Sequence, residues 1–254
     1  MVFYFSATGN SKYVASRIAD FTQDRLVSIS DCLKRQEFSF DLKEGESVGL
    51  VSPVYFGGLP AVVEDFLDKL KLKFNNPTYV YFVATCGAVS GGAYTFFQRH
   101  IKKLGLELSA GFSVKMPDNW TVIFSVNNKK RIDKILKKAD KHIEAILPKI
   151  KNHVRGFYAR LPIPMFVINI WRKTYEKSRK TQNFVVLDSC VGCGLCAQKC
   201  PEEAIQIQDN RPVWIKEKCS ICLGCLHRCP NFAIQYGEKT KYHGQYLHPC
   251  LKND

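Results

Sequence analysis

The chain starts with a short apolar run, Val2–Phe5, then small neutral residues, then apolar positions at helical spacing: Tyr13, Val14, Ile18 and Phe21. That order predicts a buried strand, a turn and an amphipathic helix from Gly9 to about Phe21. The pattern recurs. "VGLVSPVYFGGLPAVVEDFL" (48–67) reads as strand, Pro/aromatic/Gly-Gly turn and helix, and "TYVYFVATCGAVSGGAYTFFQRHI" (78–101) reads as another, again with glycines after the strand. Further strands are expected near Leu26–Ile29 and Leu108–Met116, and a basic helix from about Asn128 to Leu147. Strand and helix alternate five times, which predicts an α/β domain with a doubly wound, parallel, five-stranded sheet over residues 1–150. Three strands would end in glycine-bearing turns at the carboxyl edge, where ligands of open α/β sheets bind.

A different pattern governs the last third. From Cys190 the chain reads "CVGCGLCAQKCP" and from Cys219 "CSICLGCLHRCP", both C-x2-C-x2-C-x3-C-P, 29 residues apart. The likeness extends past the thiols, since "CPEEAIQ" (200–206) matches "CPNFAIQ" (229–235), so the segment is an internal duplication in which each unit ends in a short strand. C-x2-C pairs also bind zinc, but zinc motifs usually separate two such pairs by a longer spacer. The run is the one that carries iron–sulfur clusters in bacteria, and residues 183–238 resemble the two-cluster bacterial-type ferredoxins, a small α+β domain. In that arrangement Cys190, Cys193, Cys196 and Cys229 hold one [4Fe–4S] cluster, and Cys219, Cys222, Cys225 and Cys200 the other. Each repeat lends its last thiol to its neighbour, which keeps the two centres close.

Composition narrows the class. With 254 residues, 46% hydrophobic and 24% charged, the chain is that of an ordinary globular protein. Eight of the eleven cysteines fall between 190 and 229, which speaks for metal rather than a disulfide scaffold. No basic n-region or cleavage site opens the chain, and "LPIPMFVINIW" (161–171) has eleven residues and two prolines where a membrane span needs roughly 20. The expectation is a soluble, cytoplasmic protein without a transmembrane segment. Net charge is +14. No recognition motif turns that charge into nucleic-acid binding. Residues 151–180 hold eight Lys/Arg against a single acid, Glu176, and are read as a basic linker or docking segment over 151–182. Its basic side would face the clusters or an acidic partner such as ferredoxin; a solvated amphipathic face is the competing reading.

The first turn, Ser6, Ala7, Thr8, Gly9, Asn10 and Ser11, carries no charge. Backbone N–H groups at a helix N-terminus, with hydroxyls from Ser6, Thr8 and Ser11, make a site for an anion. Gly9 lets the backbone approach it. The turn matches neither G-x-x-x-x-G-K-[ST] nor G-x-G-x-x-G. S-x-T-G-N-S after the first strand, P-x-Y-x-G-G after the third and T-x-G after the fourth resemble the flavodoxin-like FMN domain. With the cysteine block, nearly the whole chain resembles the flavodoxin–ferredoxin fusions (EFR1-type ferredoxins) found mainly in anaerobic bacteria and archaea.

The resemblance implies strand order 2-1-3-4-5, FMN phosphate on Ser6–Ser11, and the ring between Pro53, Val54, Tyr55, Phe56, Gly57 and Gly58 on one side and Thr85, Cys86, Gly87, Ala88, Gly91 and Gly92 on the other. Tyr55 or Phe56 would stack on the ring, and Gly57 and Gly58 would let a peptide flip towards it. Trp120, in "MPDNW", would cover the flavin or pack under the cysteine module. No acid lies in "SPVYFGGLP" or "TCGAVSGG". Cys32 and Cys250 read as plain thiols and Cys86 as packing; His243 and His248 lie in a tail, 239–254, read as a loose cover for the second cluster. With FMN and two clusters bound, net charge falls to roughly +8. The function expected is electron transfer between the clusters and FMN, serving redox partner proteins; the competing reading is an FMN-dependent reductase of a quinone or nitro compound.

Overall fold

The computed structural model describes residues 1–74, 78–158 and 163–251. A single parallel sheet holds β1 (Val2–Tyr4), β2 (Leu26–Ser28), β3 (Val48–Pro53), β4 (Val80–Cys86), β5 (Ala110–Lys115) and β6 (Gly156–Tyr158). Their spatial order is β2-β1-β3-β4-β5-β6, with every neighbouring pair parallel. The central strand β4 is buried along all seven residues because helices cover both faces. On one side Val80, Phe82 and Ala84 meet α2 (Ile29–Arg35), α3 (Ala61–Lys69) and α4 (Ala93–Lys103) through Ile29, Phe66 and Phe97. On the other, Tyr81 and Val83 meet α1 (Asn10–Thr22) and α5 (Lys129–Lys151) through Ile18 and Ile143. Alternate residues therefore serve opposite layers, as strand geometry requires.

The expected five-stranded sheet is corrected to six. Gly156–Tyr158, inside the segment read as linker, pairs with Ala110–Phe112 at the edge of the sheet. Only three residues are needed there, and Phe157 stays 61% exposed, so no buried apolar run announces the strand. Tyr158 is held by stacking on Phe112 at 5.3 Å between ring centroids.

Of the apolar run 161–171, residues 161 and 162 lie outside the described residues. The remainder enters α6 (Met165–Ser178), which buries Ile168 and Tyr175 completely. In the cysteine module, β7 (Phe184–Val186) pairs antiparallel with β10 (Ile234–Tyr236), and β8 (Ile205–Gln208) forms a hairpin with β9 (Arg211–Trp214). Short helices α7 (Leu195–Gln198) and α8 (Gly224–Arg228) carry the third thiol of each repeat. Ile205, Ile221, Leu226 and Ile234 share one apolar cluster with Tyr175 of α6 and Ala61 of α3, so the two modules pack through a common core.

The tail differs from the loose cover expected. After α9 (Thr240–His243), Gln245 Nε2 donates to the carbonyls of Leu226 and Cys229, both at 2.7 Å. The chain then returns to the first turn, where His248 N–H donates to Thr8 O at 2.8 Å and the imidazole stacks on Tyr13 at 4.4 Å. His243 Nδ1 pairs instead with Thr121 O at 2.7 Å. Among the described residues no helix is long and apolar enough to cross a membrane.

Candidate cofactor cavity and thiol clusters

All three glycine-bearing turns converge on one cavity of about 490 Å³ at the carboxyl edge of the sheet. Its size is that of a small-molecule or cofactor site. Ser6, Ala7, Thr8, Asn10 and Ser11 line it from the first turn; Pro53, Val54, Tyr55, Phe56 and Gly57 from the second; Thr85, Cys86, Gly87 and Ala88 from the third. The first turn is preorganised: Gly9 N–H donates to Ser6 Oγ at 3.0 Å, Ser11 and Thr85 hydroxyls meet at 2.8 Å, and Asn119 Nδ2 donates to Thr8 Oγ1. The first-turn amides of α1 have no carbonyl of their own helix to bond.

Four glycines singled out in the sequence stand behind the wall instead of in it. Gly9, at φ 98°, faces the tail: a Cβ there would come within 2.8 Å of His248 Cβ and Leu251 Cγ. A Cβ at Gly58 would come within 3.0 Å of Arg172 Cδ. Gly91 packs on Gly57, whose carbonyl accepts Gly92 N–H at 2.7 Å. These two glycines clamp the second turn to the third. That second turn is tight: Tyr55 and Gly58 exchange backbone bonds of 2.9 and 3.0 Å, with Phe56 at φ 48° and Gly57 at φ 76°. Positive φ at both central residues is the type I′ form, unusual for Phe.

Other walls come from segments without a recognisable motif. Met116, Pro117, Asp118, Asn119 and Trp120 follow β5 at the same edge, and α6 adds Trp171, Thr174 and Tyr175. The i, i+4 pair of aromatics at 171 and 175 was the one signal in the sequence for that wall. Trp120 lines the cavity and also packs on the cysteine module: its ring stands edge-on to Phe56 at 5.7 Å and reaches Tyr236 at 6.3 Å. Phe56 lies between Trp120 and Tyr175, 5.5 Å away. An acid, Asp118, is brought beside Gly87 although the glycine turns themselves contain none.

The thiols sort into two groups. Cys190, Cys193, Cys196 and Cys229 line one small cavity with Pro230. Cys200 sits with the other repeat, close enough to help raise the thiol pKa values of Cys219, Cys222 and Cys225. Burial is the larger cause and pushes Cys219 up to about 12. Such a set, costly to ionise by itself, would be stabilised as thiolates by a bound metal cation. Backbone N–H groups of Ala204, Ile221 and Ala233 point at Cys200, Cys219 and Cys229 sulfurs, each at 3.3 Å, as sulfur ligands to a cluster are commonly held.

The two regions touch. Ile221 and Cys222 belong to the wall of the large cavity, and Tyr55 feels Cys222: burial raises its phenol pKa, with that thiol the next contributor. His227 on α8 is 2% exposed; Nε2–H donates to Asn119 O at 2.9 Å and Nδ1 accepts Tyr246 N–H at 3.2 Å. Burial holds that imidazole neutral, with its pKa lowered to about 4. Through Asn119, the cysteine module is hydrogen-bonded to Thr8 in the first turn.

Residues 1–145 match the sequence profile of the flavodoxin domain, and residues 184–206 that of the 4Fe-4S binding domain. No curated protein matches significantly. Solved structures similar to the chain include two-electron reduced Megasphaera elsdenii flavodoxin, at 19% identity and TM-score 0.33 over 56% of this chain and 99% of that one. Trp repressor binding protein from Bacillus subtilis aligns at 14% identity and TM-score 0.33, covering 56% and 96%. Rubredoxin oxygen:oxidoreductase from the anaerobe Desulfovibrio gigas aligns at 15% and 0.33, covering 59% and 36%.

Proposed function

The chain belongs to the flavodoxin domain family, followed by a 4Fe-4S binding domain, and from that premise we propose that it is an electron carrier with FMN in the large cavity and two [4Fe–4S] clusters in the cysteine module. Iron–sulfur clusters exchange one electron at a time, and a flavin one or two. The pairing therefore links single-electron partners to flavin chemistry. The observation that carries this reading is Cys222, a cluster ligand by its spacing, in the wall of the same cavity as the three turns.

The chain's own residues divide the work of holding the cofactors. Ser6–Thr8, Asn10 and Ser11 would take the phosphate by hydroxyls and amides, while the helix dipole of α1 offsets its charge. Tyr55 and Phe56 supply flat apolar surface, and the turn Thr85–Ala88 offers backbone donors and acceptors to the ring edge. The donor sets for the clusters are Cys190, Cys193, Cys196 with Cys229, and Cys219, Cys222, Cys225 with Cys200. Trp120, Tyr175 and Ile221 pack the boundary and exclude water from it. Redox partners would be proteins of the ferredoxin or oxidoreductase kind.

Iron, acid-labile sulfide and flavin content of oxygen-free protein test the cofactor assignment. Reduced protein is then offered ferredoxin and a panel of quinones and nitro compounds. Electron exchange with the protein partner supports the carrier, whereas saturable turnover of a small molecule alone would make the chain an FMN-dependent reductase.

A further inference from the structure

Among the described residues that line the cavity, Asp118 alone carries a carboxyl group. It sits just past β5, in a stretch with no glycine motif. One oxygen is fixed, since Asp118 Oδ1 accepts Trp120 N–H at 3.1 Å. The other lies over Gly87: a Cβ at that position would collide with Asp118 Oδ2. The absence of a side chain at 87 is thus what allows the carboxylate to lie against the third turn. Burial raises the carboxyl pKa, opposed by the Trp120 amide and the charge of Arg131.

A partly buried carboxylate favours a ligand group that donates a hydrogen bond, because an unmatched acceptor in a cavity is costly. The turn beside it, Cys86–Ala88, lines the same cavity, and backbone N–H groups there would suit carbonyl oxygens. A ring edge with one N–H between two carbonyls would satisfy both. Isoalloxazine has such an edge in its imide. Resting on the FMN reading above, we propose that Asp118 accepts a hydrogen bond from the imide N–H of the bound ring. It thereby orients the flat ligand against Gly87 and selects rings that carry this donor.

The test compares wild type, Asp118→Asn and Asp118→Ala as full chains with clusters loaded. Each is stripped of flavin and titrated anaerobically with FMN and with its N3-methylated analogue. Wild type is expected to prefer FMN at least tenfold. Asp118→Ala is expected to bind FMN at least tenfold more weakly and to lose the preference. Asp118→Asn, which keeps shape and a neutral acceptor, is expected to lose three- to tenfold, with cluster absorbance unchanged. A purely structural role, holding the Trp120 amide, would weaken both ligands equally and keep their ratio. That result in Asp118→Ala overturns the proposal, as does a wild type that binds the two equally. If alanine prevents folding, an asparagine variant with wild-type affinity and preference overturns it. Wild type that takes up neither ligand removes the flavin reading itself, and the proposal with it.

Discussion

Ser220 Oγ, in the cysteine module, accepts the amide N–H of Val62 in the first turn of α3 at 2.9 Å. The neighbouring Ala61 N–H donates to Tyr175 Oη at 3.1 Å, and that hydroxyl in turn donates to Ser220 O at 3.1 Å. Helix α3 opens at Pro60, which has no side chain to cap it. Two of its orphan donors are satisfied by residues more than a hundred positions away. The cap of a flavodoxin-domain helix is thus supplied by α6 and the second cysteine loop.

Removing that cap should loosen both modules together. Ser220→Ala and Tyr175→Phe are each expected to cost about 1 kcal/mol of stability, the usual worth of a helix-capping bond. In the double variant the losses should fall short of additive because the two groups belong to one hydrogen-bonded network, Tyr175 Oη donating to the Ser220 carbonyl. Denaturant unfolding followed by flavin fluorescence and by cluster absorbance checks this. Two separate transitions in wild type would show that the shared contacts carry no coupling.

At the first turn, Ser6→Asp places a negative charge where the phosphate is proposed to sit. FMN affinity should fall at least a hundredfold while riboflavin, which lacks the phosphate, is little changed. Fluorescence titration of both ligands reads the difference, and an equal loss for the two would move the phosphate elsewhere.

The crossed thiol sets predict which iron is lost. Cys200→Ala should remove the cluster held with Cys219, Cys222 and Cys225, cutting iron by about half, and Cys229→Ala should remove the one in the cavity of Cys190, Cys193 and Cys196. The first should also disturb the flavin spectrum more, since Cys222 shares the cavity wall and Cys190 does not. Iron analysis with low-temperature paramagnetic resonance of the reduced variants separates the two.

The tail predicts a pH dependence. His248 is 4% exposed, its Nδ1 accepts Cys250 N–H at 3.1 Å, and burial lowers its pKa from 6.5 to about 4 against the opposing charge of Asp140. The folded state therefore prefers the neutral ring and the released tail binds the proton more readily. The contribution is fully present above pH about 6.5, is lost as pH falls towards about 4, and is flat below that. Amide exchange of residues 245–251 should rise across this window, and His248→Phe should remove its share of the dependence, leaving that of His227, whose Nδ1 accepts Tyr246 N–H and whose pKa is likewise lowered to about 4.

Much of the site was legible along the chain because its parts are local. The octet after β1, the turn after β3 and the thiol runs each carry their chemistry within a few residues, and covalent spacing alone places the donors. Gly9, Gly91 and Gly92, marked as turn glycines, also have a packing role. They make room for His248, Gly57 and Ile168 respectively, contacts that involve distant segments. Asp118 gave no local signal and Trp171 only its i, i+4 spacing to Tyr175, since a single acid or indole becomes part of a wall only when a sheet edge and a helix face are brought together. Strand β6 was hidden for the same reason: three half-exposed residues form a strand only because Ala110–Phe112 offer an unpaired edge.

The amino-acid order alone determined the alternation of strand and helix, the doubled cysteine run and the uncharged first turn, because periodicity and residue spacing act over a few residues. Folding decided which repeat's thiol shares a wall with the glycine turns, which carboxylate enters the cavity wall, and which module caps α3. Those relations depend on close packing and on matching buried donors with acceptors, conditions that arise only between segments far apart in the chain.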